Sequence, residues 1–255
     1  MSDVLETAYE SRVLHLRLNR PEKRNALSSE LCRALVSALS QANGDPLVGA
    51  ILLSGNGKSF CAGMDLDEAA GGTTAALADL HEQLFTIGAR LSKPLVAAVR
   101  GAALGGGAGL VANCAIVIAA ENAAFGLTEI RLGLWPFLVF RAVSAALGER
   151  RTVELALTGR TFGSGEALQM GLIHQVAPEA VLEERAVEVA QALAAFSPSA
   201  IQAGLRFVQE ARGKSWGAAG EVARRVREQV FESPDFQEGI RAFREKRPPQ
   251  WPSIR

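Results

Sequence analysis

The sequence predicts an α/β fold, with short buried strands separated by glycine turns and helices in the first half and a helix-rich region appended. Three observations carry that reading. Residues 12–18 (RVLHLRL) alternate strictly, with a leucine at every second position from Leu14 to Leu18. Residues 48–54 (VGAILLS), 94–100 (PLVAAVR) and 115–119 (AIVIA) are continuous apolar runs. From Phe137 onward apolar residues recur at helical spacing. Strict alternation marks a strand buried on one face, and an unbroken short run marks a strand covered on both.

The strand at 12–18 places Leu14, Leu16 and Leu18 on one face and Val13, His15 and Arg17 on the other. Arg20-Pro21 ends it, because proline offers no ladder donor. Ser28 reads as a helix N-cap. Leu31, Leu35, Ala38, Leu39 and Ala42 then share one helical face, and Gly44 reads as its C-cap. The run 48–54 is the next strand. After the turn-rich GNGKSFCAG comes a helical stretch at 65–70, then Gly71-Gly72, then a helix to about Leu91. Strands at 94–100 and 115–119 follow. Between Arg100 and Glu121 lie 20 uncharged residues, long enough to cross a bilayer. Five of them are glycine, and Asn113 falls where a span would want leucine. This stretch is expected to be core: a buried strand, a glycine turn and another buried strand. Farther on, Gly171–Val176 is an apolar break in the helical half, and Ser197-Pro198 and Ser233-Pro234 mark helix starts.

Composition narrows the function. The 255 residues suit one large domain or a domain plus an appendage. Lys+Arg and Asp+Glu stand at 27 each, which argues against a nucleic-acid partner, since that needs a basic face. Cys32, Cys61 and Cys114 are too few and too widely spaced for a disulfide framework or a zinc site. The N-terminal stretch is acidic and lacks an apolar core, so no secretory signal is expected and the expected location is cytoplasmic. Gly57-Lys58-Ser59 imitates the end of a Walker A loop, but Leu52 occupies the required glycine position. Gly105-Gly106-Gly107 does not extend to GxGxxG, because Leu110 ends the pattern. No GxSxG is present. His15 and His174 read as packing or surface residues. His81, on a helix beyond Gly71-Gly72, is kept as a remote catalytic candidate.

Two glycine-bearing loops remain, Phe60–Asp65 and Ala103–Gly107, each following a buried strand. Glycine there lets a backbone approach a ligand and leaves amides free at a helix start. Two such loops could aim two N–H groups at one oxygen, or they could be only tight turns and close packing.

The segments LNRPEKRNALS (18–28), GNGKSFCAGMDL (55–66), KPLVAAVRGAALGGG (93–107), FGLTEIRLGL (125–134), LTGRTFGSGEALQMGLIHQV (157–176) and EGIRAFREKRPPQW (238–251) occur in one order over nearly the whole chain. Together they resemble the enoyl-CoA hydratase/isomerase (crotonase) family. The resemblance implies a spiral of ββα units over residues 1–195. It implies a C-terminal helical region, 196–255, that builds trimers or hexamers and closes over coenzyme A. The amides of Met64 and Gly106 would hold the thioester oxygen, with Gly105 beside them. Lys23, Arg24 and Ala26 would lie along coenzyme A. Ala62, Gly63, Asp65 and Leu66 would contact adenine and pantetheine, and Phe243 and Lys246 would close over the nucleotide. The acyl-CoA thioester is then the substrate, and no cofactor, membrane or nucleic acid is implied.

Family hydratases use two glutamates around one water. The first would fall at Gly109 in this chain and the second at Glu129, so Glu129 is expected to be the only acid/base. One carboxylate can carry a proton between two carbons of an enolate, whereas activating water with one is harder. The expectation is therefore enoyl-CoA double-bond isomerisation. Hydration is the alternative, and a catalytically weak acyl-CoA-binding protein is a second, of another class. Thr128 replaces a proline, and Trp135-Pro136-Phe137 replaces a glycine-rich run. These aromatics either reshape the acyl end of the pocket, Trp135 foremost, or are ordinary core.

Overall fold

The computed structural model describes residues 4–72 and 75–254. Strands β1 (Leu5–Glu10) and β2 (Val13–Leu18) form an antiparallel hairpin, turning at Ser11 and Arg12 with φ of 48° and 66°. Of β1 only Leu5 is buried, so this edge strand carries no periodic apolar signal in the sequence. Helix α1 (Ser29–Gly44) starts as expected, with the Ser28 hydroxyl accepting from Leu31 N at 3.3 Å, but it runs through Gly44 and is capped by Asp45, whose N–H donates to Ala42 O. Strand β3 (Ala50–Gly55) then pairs in parallel with β2. After α2 (Leu66–Ala69) and α3 (Ala75–Thr86), β4 (Leu95–Val99) adds in parallel to β3.

The stretch read as strand, turn, strand is differently built. It contains β5 (Ala102–Leu104), a short buried helix α4 (Gly106–Ala112) and β6 (Ile116–Ala120). Glycine is a poor helix former, and here packing overrides propensity. A methyl group on Gly107 would lie 2.2 Å from Cys61 O, so only glycine lets this helix sit so close to its neighbour. No described helix is long and apolar enough to cross a membrane.

The remaining elements are β7 (Ala124–Gly126), α5 (Phe137–Leu147), α6 (Glu149–Thr158), β8 (Thr161–Gly163), α7 (Ser164–Met170), β9 (Gln175–Ala177), α8 (Leu182–Ala194), α9 (Pro198–Ala211), α10 (Trp216–Phe231) and α11 (Pro234–Glu245). The main sheet has the order β1-β2-β3-β4-β6-β9, and β5-β7-β8 form a second, three-stranded sheet. Those three-residue strands are too short for periodicity to reveal.

Alternate residues of the central strands feed two cores. Ala50, Leu52, Val96, Ala98, Ile118 and Ala120 pack against Leu182, Ala186, Ala190 and Ala194 of α8. Ile51, Leu53, Ala97, Val99, Val117 and Ala119 face the other way, into the cluster containing Leu31, Leu35 and Leu39 of α1. Burial on both faces is why these strands read as unbroken apolar runs. His15 is a packing residue, buried with its Nε2 2.8 Å from Ser54 Oγ, and His174 is a surface residue whose Nδ1 accepts from Val117 N, the two roles expected of them. Ser197 and Ser233 cap α9 and α11. The C-terminal helices are tied back by Trp251 Nε1 donating to Ala195 O and Gln209 Nε2 to Leu91 O.

Candidate functional site

The two glycine loops meet. Cys61 N donates to Ala102 O at 2.9 Å and Leu104 N to Cys61 O at 3.0 Å, lacing the first loop to β5. On its other edge, Leu27 N donates to Gly63 O and Asp65 N to Leu27 O, bracketing Met64. Because an extended chain points successive amides to opposite sides, the Met64 N–H is turned away from Leu27. Gly105, at φ 51° and ψ −117°, makes a turn that a side chain would strain, and it delivers Gly106 as the first residue of α4. The first amides of a helix have no partner within it. Among the described residues, neither Met64 N–H nor Gly106 N–H has a backbone acceptor. A methyl group on Gly106 would lie 3.8 Å from Gly63 Cα, so the two amides belong to touching loops. Met64, Gly105 and Gly106 line one cavity of about 440 Å³.

Glu129 enters that cavity. It opens a 3-10 turn, Glu129–Leu132, anchored by buried Phe125 and Leu127 and closed by Gly133. A methyl group on Gly105 would sit 2.9 Å from Glu129 Oε1, so the carboxyl group lies against the Gly105 turn itself. Its Oε2 is buried with no hydrogen-bond partner among the described residues. Burial pushes the carboxyl pKa up, against a smaller downward pull from its own backbone amide. An acid so placed changes protonation closer to neutrality than an exposed glutamate does.

Gly109 does not line the cavity. A methyl group there would meet Val139 Cγ1 at 2.9 Å and two carbons of the Phe85 ring at 3.0 and 3.1 Å. Phe85 is held by α3, whose end is pinned where Asn113 Nδ2 donates to both Phe85 O and Gly109 O at 2.9 Å. The position where hydratases would carry their first glutamate is therefore walled off by two apolar side chains. Sequence reasoning missed Phe85 and Val139, since nothing in the local pattern shows that α3 and α5 converge on α4. His81, one turn before Phe85, does line the cavity.

The wall is mostly apolar: Leu27, Leu66, Leu104, Leu132, Leu134 and Leu138 contribute, and Arg131 stands beyond Glu129. Trp135, Pro136 and Phe137 all line it, so the aromatic run shapes the pocket. Trp135 also packs on the main core, whereas Phe137 is 71% exposed at the cavity.

The residues assigned to coenzyme A divide. Ala62, Gly63 and Leu66 line the cavity. Lys23, Arg24 and Ala26 lie outside that wall but next to it, with Arg24 O accepting from Ala62 N and Lys23 Nζ 2.7 Å from Asp67 Oδ2. Asn25, fully buried, fixes this segment through bonds to Arg20 N, Asn56 O and Ser59 O. The Asp65 carboxylate pairs with Arg20 at 2.8 Å and caps α2 through Asp67 N and Glu68 N. Burial alone would raise its pKa, but these bonds outweigh burial and hold it below the usual range. That carboxylate is engaged in holding the loop. Phe243 and Lys246 are not brought to the cavity within one chain. Both are exposed on and just after α11, where Phe243 lines a separate groove with Ile240, Arg244 and Trp251. Among the described residues no His/Cys/Asp/Glu cluster could hold a metal ion.

Comparison with known proteins gives the family and the fold. Residues 8–253 match the sequence model of the Enoyl-CoA hydratase/isomerase family. The chain is similar to 2,3-dehydroadipyl-CoA hydratase of Escherichia coli, 36% identical with 98% of this chain and 99% of that protein covered. It is 36% identical to enoyl-CoA hydratase EchA19 of Mycobacterium tuberculosis, over 92% of this chain and 91% of that one. The crystal structure of an enoyl-CoA hydratase from Bacillus anthracis superposes with a TM-score of 0.92 at 32% identity, covering 98% and 99% of the two chains.

Proposed function

This chain belongs to the enoyl-CoA hydratase/isomerase family, and we propose that it is an enoyl-CoA double-bond isomerase with Glu129 as its acid/base. The observation that carries the reading is the buried, unpartnered Glu129 carboxyl group set against Gly105, next to two amides that lack acceptors. A thioester oxygen on the Met64 and Gly106 amides would collect the charge of an enolate, and each such donor is typically worth about 10²–10³ in rate. Glu129 would take the proton from C2 and return one at C4. The electron pair of the broken C2–H bond passes through the dienolate and rebuilds the thioester carbonyl with a C2=C3 double bond.

Hydration is the second reading, favoured by the printed names of the relatives. Against it stand Phe85 and Val139, which occupy the place of a second carboxylate that would hold the water. Presenting a 2-enoyl-CoA and a 3-enoyl-CoA separates the readings. Appearance of conjugated thioester absorbance from the 3-enoyl compound supports isomerisation. Its loss from the 2-enoyl compound supports hydration, and tight binding with neither change supports an acyl-CoA binder.

The further parts of the reading are proposals of the same kind. Lys23 and Arg24 would meet the coenzyme A phosphates in a cytoplasmic enzyme, with no step routed through a cofactor. Residues 196–255 would build a homotrimer or homohexamer. There, Phe243 and Lys246 of one chain would close over the nucleotide held by a neighbour, which is consistent with their exposure here.

A further inference from the structure

We propose that His81 is a second proton-transfer residue of this pocket, a neutral imidazole that takes and returns the proton α to the thioester alongside Glu129. This rests on the reading of the cavity as a thioester-enolate site, but not on the choice between isomerisation and hydration.

Among the described residues lining the cavity, only His81, Glu129 and Arg131 carry ionisable side chains, and arginine does not give up its proton. Glu129 reaches the oxyanion turn at Gly105. Helix α3 reaches it one residue on, where the Phe85 ring would lie 3.2 Å from a methyl group on Gly106. His81 and Phe85 are four apart on α3 and so share one helical face, with ring centroids 6.2 Å apart. The imidazole thus stands one ring away from the turn that presents the Gly106 amide. The other two histidines spend a ring nitrogen on Ser54 and on the Val117 amide. His81 has no hydrogen-bond partner among the described residues, which leaves both nitrogens for a ligand.

Burial lowers the His81 pKa, and Glu68 of α2 opposes this more weakly. The other charges on the elements around it are Glu30 and Arg33 of α1, Asp67 of α2, Asp79 and Glu82 of α3 itself, Arg90 just after it, Arg141 of α5, and Glu129 and Arg131 across the cavity. The neutral base form therefore dominates at pH 7.

An imidazole nitrogen takes the C2 proton, and the electron pair of that bond moves into the enolate, whose oxygen rests on the Met64 and Gly106 amides. Return of the proton reverses the step. Isomerisation by this second route, parallel to the one in which the Glu129 carboxylate takes the C2 proton itself, starts from the protonated Glu129: the carboxylic acid delivers a proton at C4, the imidazolium gives its proton to solvent, and the carboxylate regains one.

The test uses hexanoyl-CoA, a saturated thioester that can neither isomerise nor be hydrated. Exchange of its C2 protons in D₂O, read by NMR on protein saturated with the thioester, reports proton removal alone. Glu129→Gln is expected to keep measurable exchange. Its rate should rise with pH through one step below the usual histidine range and stay flat above it. Adding His81→Gln or His81→Phe should lower that remaining exchange at least tenfold. The fluorescence of Trp135, which lines the cavity, should still report bound thioester in all variants. Complete loss of exchange in Glu129→Gln, or residual exchange indifferent to both His81 substitutions, would overturn the assignment and leave the enolate site standing. Absence of exchange in the unsubstituted protein would overturn both.

Discussion

Gly109→Ala tests whether α4 is glycine at this position because two neighbours leave it no room. The φ of Gly109 lies outside the left-handed region, so alanine meets no backbone strain there, and its N–H bonds to Gly105 O at 3.1 Å in ordinary helical fashion. Two opposing effects remain. Replacing glycine by alanine inside a helix gains about 1 kcal/mol. The new methyl group enters within 2.9 Å of Val139 Cγ1 and 3.0–3.1 Å of the Phe85 ring, an overpacking that costs about 1–3 kcal/mol. The single variant is therefore expected to lose about 0–2 kcal/mol. Val139→Ala removes the closest atom, so in that background the same change should cost at least about 1 kcal/mol less and turn neutral or stabilising. Urea unfolding of the four proteins at one fixed protein concentration measures the cycle. An equal cost of Gly109→Ala in both backgrounds would refute the packing argument. Gly109→Glu carries this further, since its carboxylate would be buried beside Phe85 with no donor facing it. We expect loss of stability, with no gain of hydration in steady-state assays of a 2-enoyl-CoA.

The remaining predictions concern catalysis, the ligand and pH. Glu129→Gln should lower turnover about 10²–10⁴-fold with little change in acyl-CoA affinity by calorimetry; unchanged turnover would remove Glu129 from the mechanism. If Glu129 acts as a carboxylate base, kcat should fall as pH drops, with its midpoint above the ordinary 4.5 because burial favours the neutral acid. Arg24→Ala and Lys246→Ala should each raise KM with kcat nearly unchanged, and the loss should shrink at high salt; salt-independent kinetics in both would sink the phosphate assignment. His15 is held neutral, with burial first and Arg17 second depressing its pKa from 6.5 to about 4. Between those values the unfolded chain binds a proton that the folded one refuses. Stability should therefore fall as pH drops across that window, by up to about 3 kcal/mol, and denaturant midpoints of His15→Gln should show a flatter dependence.

Much of this protein was legible in one dimension. Local chemistry set the strands at β2, β3, β4 and β6, the serine caps of α1, α9 and α11, and the two glycine loops, because alternation, burial on both faces and capping are written within a few residues of each other. Resemblance to the enoyl-CoA hydratase/isomerase family then put Met64, Gly106 and Glu129 in one place, and in the folded chain all three line one cavity. Other features needed the tertiary structure. The edge strand β1 and the three-residue strands of the second sheet exist because neighbours supply their hydrogen bonds, not because their own pattern demands it. Helix α4 forms against its glycine content, since the close approach of Cys61 outweighs propensity. The carboxylate of Asp65 turned out to serve the loop, through Arg20 and the α2 amides. Phe243 and Lys246 lie far along the chain, and the fold of a single chain leaves them away from the cavity. Resemblance to the family set Gly109 where its hydratases would carry a glutamate; only the convergence of α3 and α5 decided that Phe85 and Val139 fill the space, because packing across distant segments leaves no mark on the residues beside it.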